Sequence, residues 1–133
     1  MRDLVRACAA ACCVLVAASA HTQTRRVPEA RRSTVGYNSV AAALAAVRAN
    51  PKVRIEIVRG WIIATNKSTM TIWSFAPKGD PSYPSVVKRV VKPALGGGST
   101  IDMNVECEAS KKACDNLVRE FERMNGIMPA DSQ

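Results

Sequence analysis

The spacing of hydrophobic residues between positions 36 and 126 has a helical period at both ends and a strand period in the middle. Residues 36–51 are rich in alanine, and Val40, Leu44 and Val47 recur at the spacing of one helix face. A second amphipathic pattern covers residues 110–125 and is followed by Gly126, a typical helix-ending residue. We therefore predict one helix before, and one after, a central region of strands.

Short segments of β-branched, aromatic and alternating residues fill this central region. They lie at residues 53–57, 61–64, 69–75, 85–92 and 100–107. The turn-forming pair Arg59-Gly60 and the run GGGS at 96–99 separate neighbouring segments. The pattern predicts an antiparallel meander of four to five strands. With both helices on one face of the sheet, the domain would be a two-layer α+β structure.

Two cysteines fall on predicted inward faces. Cys107 ends a strand in which Ile101, Met103 and Val105 share its side, and Cys114 lies on the apolar stripe of the second helix. We predict a disulfide between Cys107 and Cys114, with two separate buried thiols as the alternative.

The first twenty residues have the features of an export signal. Arg2 and Arg6 precede a short apolar stretch, and Ala18-Ser19-Ala20 provides a small-x-small cleavage pattern. We predict cleavage near Ala20 and a periplasmic or secreted mature chain; an uncleaved anchor is the alternative. Export to an oxidising compartment favours the predicted disulfide.

The chain is basic, with a formal net charge of +8 at pH 7. Residues 21–35 have little apolar content and carry Arg25, Arg26, Arg31 and Arg32, so we predict a disordered basic arm. Such an arm can bind anionic lipid or another anionic polymer. The single domain is predicted at 36–126, followed by a tail at 127–133. Because few aromatic residues accompany the basic ones, specific nucleic-acid binding is not predicted.

The residues needed for common catalytic schemes are scarce. The single histidine, His21, lies at the predicted cleavage site, and Asp102, Glu106 and Glu108 are best explained as solvent-facing acids. No set of ligands with metal-binding spacing is present, and GGGST lacks the lysine of a phosphate-binding loop. We expect a non-enzymatic protein without a metal or cofactor. A small hydrolase using the three acids is the less favoured alternative.

The proline loop, residues 76–84, is the best candidate contact surface. Its three prolines restrict the backbone, which lowers the entropy lost on binding. Lys78, Asp80 and Tyr83 supply charge and an amphipathic ring, and Trp73 precedes the loop as either a core residue or an exposed platform. The alternative is a rigid connection between strands without a binding role.

The runs GWIIATNKSTMTIWSFAPKGDPSYPSVVKR and CEASKKACDNLVREF resemble a group of small exported proteobacterial proteins of unknown function. Some of those proteins carry a molecular-chaperone label of the J-domain kind. The His-Pro-Asp motif of a J-domain is missing here, because His21 is followed by Thr22. The resemblance implies an exported protein and adds no activity.

These observations favour a binding protein of the cell envelope that engages another protein, for example as an inhibitor or immunity protein. The basic charge favours an acidic partner. Electrostatic association with anionic envelope material through the arm, or a chaperone-like accessory role, is the alternative.

Overall fold

A computed structural model describes residues 34–126 of the chain. The predicted export signal, the arginines Arg25, Arg26, Arg31 and Arg32, and the tail at 127–133 lie outside the described residues.

Two helices flank five consecutive strands. The elements are α1 (Val40–Ala49), β1 (Arg54–Val58), β2 (Trp61–Asn66), β3 (Thr71–Phe75), β4 (Ser85–Pro93), β5 (Ser99–Cys107) and α2 (Lys111–Met124), with a 3-10 turn at Lys67–Thr69 between β2 and β3. The strands form one antiparallel sheet in sequence order, β1-β2-β3-β4-β5. The predicted α+β class and antiparallel meander are confirmed.

Local side-chain chemistry fixes the starts of both helices. The Ser39 hydroxyl accepts a hydrogen bond from the Ala42 N–H at 3.1 Å, and the Ser110 hydroxyl accepts one from the Ala113 N–H at 3.3 Å. These bonds satisfy N–H groups that have no partner within the first helical turn. After α2, Gly126 adopts a φ of 72°, a left-handed conformation that suits glycine at a helix end.

The first hairpin has a two-residue turn. Arg59 and Gly60 have φ values of 50° and 85°, so both central residues of the turn are left-handed. This geometry matches the twist of antiparallel strands and joins β1 directly to β2.

The helices cover opposite faces of the sheet. On the α1 face, defined by Ile62, Ala64, Trp73, Phe75 and Val86, the sheet packs against Val40, Ala43 and Val47 of α1. On the α2 face, Val87 packs with Leu117 and Phe121 of α2, flanked by Trp61, Met103 and Val105.

The predicted two-layer arrangement was therefore wrong, and the domain has three layers: α1, the sheet and α2. The physical reason lies in the central strands. Val86 and Val87 are adjacent and point to opposite faces, and both are fully buried. A sheet that is apolar on both sides needs cover on both sides.

The core extends beyond the predicted start of the domain. Val35, assigned to the arm by its polar surroundings, is only 1% exposed and packs in the α1 core. The Lys88 ammonium approaches the Val35 carbonyl at 3.5 Å. A single valine in a polar segment has no period, so the pattern could not assign it to the core.

A disulfide joins the end of β5 to the first turn of α2. The Cα atoms of Cys107 and Cys114 are 5.8 Å apart and the sulfurs are bonded. The pairing predicted from the two inward faces is present.

Candidate functional site

Hydrogen bonds within the proline loop hold its shape. The Asp80 N–H donates to the Pro77 carbonyl and the Tyr83 N–H donates to the Asp80 carbonyl, each at 3.0 Å. One oxygen of the Asp80 carboxylate accepts from both the N–H and the hydroxyl of Ser82, at 2.8 and 2.6 Å. The Ser82 hydroxyl also contacts that of Ser85, 3.1 Å away. The loop is therefore built as a defined surface and not as a loose connection.

The residues predicted to bind a partner have three different environments. Lys78 and Tyr83 project into solvent, with Tyr83 42% exposed. Asp80 is half-buried and its carboxylate is occupied within the loop. Trp73 is only 8% exposed and belongs to the core under α1. Of the two alternatives for Trp73, the core position is therefore the one found and the exposed platform is not, because its side of β3 is the side that α1 covers.

The proline loop forms one wall of a groove, and α1 forms the other. The cavity measures about 570 Å³. We call it the loop groove. Its apolar lining consists of Val40, Ala41, Leu44, Ile57, Ile62, Phe75, Ala76, Pro77, Tyr83 and Pro84. Ile57, at its open side, is 74% exposed. An exposed isoleucine beside an exposed tyrosine gives the groove an apolar contact area.

The basic side chains around the loop groove are free to contact a ligand, whereas the acidic one is hydrogen-bonded within the domain. Arg48 and Lys78 line it, both are exposed, and neither makes a salt bridge within residues 34–126. Glu108 also lines it, but a Glu108 carboxylate oxygen accepts a hydrogen bond from the Val40 N–H at 2.9 Å. There the acid offsets the positive end of α1. Two cations therefore remain available at the rim.

A second, smaller cavity of about 390 Å³ lies on the α2 face. Arg89 lines it, donating a hydrogen bond to the Ser74 hydroxyl at 3.0 Å and lying 5.1 Å from the centre of the Phe121 ring. Burial lowers the pKa of the Arg89 guanidinium from its ordinary value. Trp61 lies beside the same ring, with its ring centre 5.8 Å from that of Phe121 and the two ring planes inclined by 55°. Asp80 and Glu120 also line the cavity.

Arg89 was not predicted as a site residue, although the sequence contains a signal for it. The alternation of β4 places Arg89 on the same side as Val87 and Val91. A cation on an apolar strand face indicates a special environment, here an aromatic ring and a hydroxyl.

Two of the three acids considered for hydrolysis have structural roles. Asp102 forms a salt bridge with Lys92, and Glu108 caps α1. Within residues 34–126, no group of three or more histidine, cysteine or acidic side chains is placed to hold a metal ion. The helices of this described part are too short or too polar to cross a membrane.

Comparison of the chain with protein-family models, with curated proteins and with solved structures finds no match. The fold and the geometry of the loop groove therefore carry the functional argument.

Proposed function

We propose that this domain is a non-enzymatic protein-binding module that uses the loop groove. The observation that supports this proposal is the position of the proline loop. Its side chains Pro77, Lys78 and Tyr83 line the same apolar groove as α1.

The lining indicates what the groove would accept. Apolar side chains of a partner would be removed from water against Leu44, Ile57 and Ile62. Carboxylates next to them would meet Arg48 and Lys78 at the rim. We therefore propose an acidic segment of another protein, carrying at least one large apolar residue, as the ligand.

The loop is suited to this role because its backbone is ordered before binding. The hydrogen bonds of Asp80 and Ser82 fix the loop internally, so less entropy is lost when a partner binds. Inhibitors and immunity proteins use such ordered loops to cover a partner's surface. We place this binding in an exported, oxidising compartment, in agreement with the Cys107–Cys114 disulfide.

A display selection tests the proposal directly. Random peptides are selected on the immobilised oxidised chain, and the enriched peptides are titrated against Lys78→Glu and Lys67→Glu variants. Lys67 is the matched control, because it is exposed and does not line the groove. We expect enriched peptides that combine an aromatic or large aliphatic residue with acids. Their Kd should rise about tenfold or more with Lys78→Glu and stay unchanged with Lys67→Glu.

Equal effects of the two charge reversals would show that attraction is only general and that the groove is not the site. A selection without enriched peptides would also contradict the proposal.

A further inference from the structure

Strand β1 is an exposed edge of the sheet. All five of its residues are exposed, including Ile55, Ile57 and Val58. Within residues 34–126, β1 pairs with β2 alone. Soluble proteins usually protect such edges, since an uncovered strand is a template for another strand.

The hairpin geometry determines which backbone groups point outward. Val58 and Trp61 flank the two-residue turn, so this pair exchanges both of its hydrogen bonds. Bonded and non-bonded pairs then alternate along antiparallel strands. The N–H and C=O groups of Arg54, Glu56 and Val58 therefore face β2, whereas those of Ile55 and Ile57 face the open edge.

The charged residues of β1 make this edge complementary to a second copy of itself. Arg54 and Glu56 lie on one side of the strand and are both exposed. Arg54 Nη2 lies 2.7 Å from Glu56 Oε1. Consider two copies of β1 placed antiparallel about Ile55. Ile55 then bonds to Ile55 of the second copy, and Arg54 lies opposite Glu56 of the second copy. By symmetry, Glu56 lies opposite Arg54 of the second copy.

In neighbouring registers, Arg54 does not lie opposite Glu56 of the second copy. Centring the pair on Glu56 places two like charges directly opposite each other, which is destabilising. Centring it on Ile57 leaves both Arg54 and Glu56 without an oppositely charged residue across the strands, since Glu56 then lies opposite Val58. On the other side of the strand, the Ile55 register aligns Val53 with Ile57 of the second copy, which continues the apolar row.

We propose that two copies of this chain associate through β1, antiparallel and centred on Ile55, to form one continuous sheet. The interface is self-complementary, as a two-fold symmetric contact requires. This inference goes beyond the binding module proposed above, because Arg54 and Glu56, which set the register, do not line the loop groove; Ile57 belongs to both surfaces.

A charge-swap experiment tests both the association and its register. Sedimentation equilibrium of the full oxidised chain measures the dimer Kd for the wild type, Arg54→Glu, Glu56→Arg and the double variant. Each single variant places like charges opposite each other at both symmetric positions, so its Kd should rise about tenfold or more. The double variant restores opposite charges and should return to the wild-type Kd.

Mixing the two single variants gives the sharpest result. The Arg54→Glu chain carries two acids on β1 and the Glu56→Arg chain carries two bases, so the mixture should form heterodimers although each chain alone does not. Lys112→Glu, an exposed charge reversal on α2, is the matched control and should leave the Kd unchanged. Circular dichroism confirms that each variant is folded.

A wild-type chain that stays monomeric at the highest soluble concentration would overturn the proposal. A dimer whose Kd ignores both single reversals would do the same, because it would use another surface. Neither outcome involves Lys78, so failure here is distinguishable from failure of the loop groove.

Discussion

The two faces of the sheet are covered by helices of different character. On the α1 face, an alanine-rich helix brings Val40, Ala43 and Val47 against Trp73 and Phe75, and the buried cluster is made of apolar side chains and the Trp73 indole. On the α2 face, a more amphipathic helix packs through Leu117 and Phe121 beside the charged Arg89 and an open cavity.

The comparison shows that a small sheet can be stabilised on both sides without two equal cores. On the α1 face, the buried side chains Val40, Ala43 and Val47 form the contact of α1 with the sheet. The α2 face has fewer fully buried side chains, and a covalent bond at Cys107–Cys114 holds its helix in place. We expect the two faces to respond differently to the same kinds of change.

Removing one phenylalanine from each face should have the largest effect. Each ring borders a cavity, but Phe75 packs in the larger cluster of buried residues under α1, whereas Phe121 packs in a cluster with only Val87 and Leu117 as its other buried members. Phe75→Ala should lower the free energy of unfolding by about 3–5 kcal/mol, and Phe121→Ala by less, because the Phe121 ring has fewer fully buried neighbours to lose. Urea denaturation of both variants measures the two losses. A larger loss for Phe121→Ala would contradict the view that the α1 face is the principal core.

Removal of the disulfide should have an intermediate effect, mainly on the α2 face. The Cys107→Ala/Cys114→Ala variant releases a short loop and should lose about 2–3 kcal/mol of unfolding free energy. Each face contains one tryptophan, Trp61 beside Phe121 and Trp73 under α1. Fluorescence of Trp61→Phe and Trp73→Phe backgrounds therefore reports each face separately.

We expect the emission of Trp61 to change on disulfide removal and that of Trp73 to stay nearly constant under native conditions. Equal changes at both tryptophans would show that the disulfide supports the whole domain and not one layer.

Replacement of the half-buried cation Arg89 should have the smallest effect. Arg89→Met removes the contact with Phe121 and the bond to Ser74, and it also removes the cost of burying a charge. The opposing contributions predict a change in unfolding free energy below about 1 kcal/mol. Arg119→Met, an exposed change on α2, is the control. A loss of several kcal/mol would show that Arg89 is essential to the α2 layer.

The elements of this fold were predictable because their periods are distinct. The alternation of residues 100–107 and the helical stripe of residues 110–125 each placed one cysteine inward, and together they predicted the disulfide. The layer arrangement could also have been read from the strands. Adjacent apolar residues such as Val86 and Val87, or Ile62 and Ile63, require cover on both faces.

The candidate site was only partly predictable. The composition of the proline loop identified Lys78 and Tyr83, which are exposed at the groove. It could not show that Leu44 and Ile57 lie beside them, because those contacts join segments far apart in the chain. The pattern of β3 alone left Trp73 open as a core or an exposed residue, and only the need for cover on both faces of the sheet, read from the neighbouring strands, would have placed it in the core.

The cap of α1 by Glu108 has a consequence for the order in which the domain is completed. Its acceptor lies 68 residues after the Val40 N–H that donates the bond. During synthesis, α1 is made first, but its first turn cannot gain this partner until β5 has been made. Of the two helices within residues 34–126, the earlier one is thus among the last elements to reach its final hydrogen bonding, and its layer is finished by a residue that follows the last strand of the sheet.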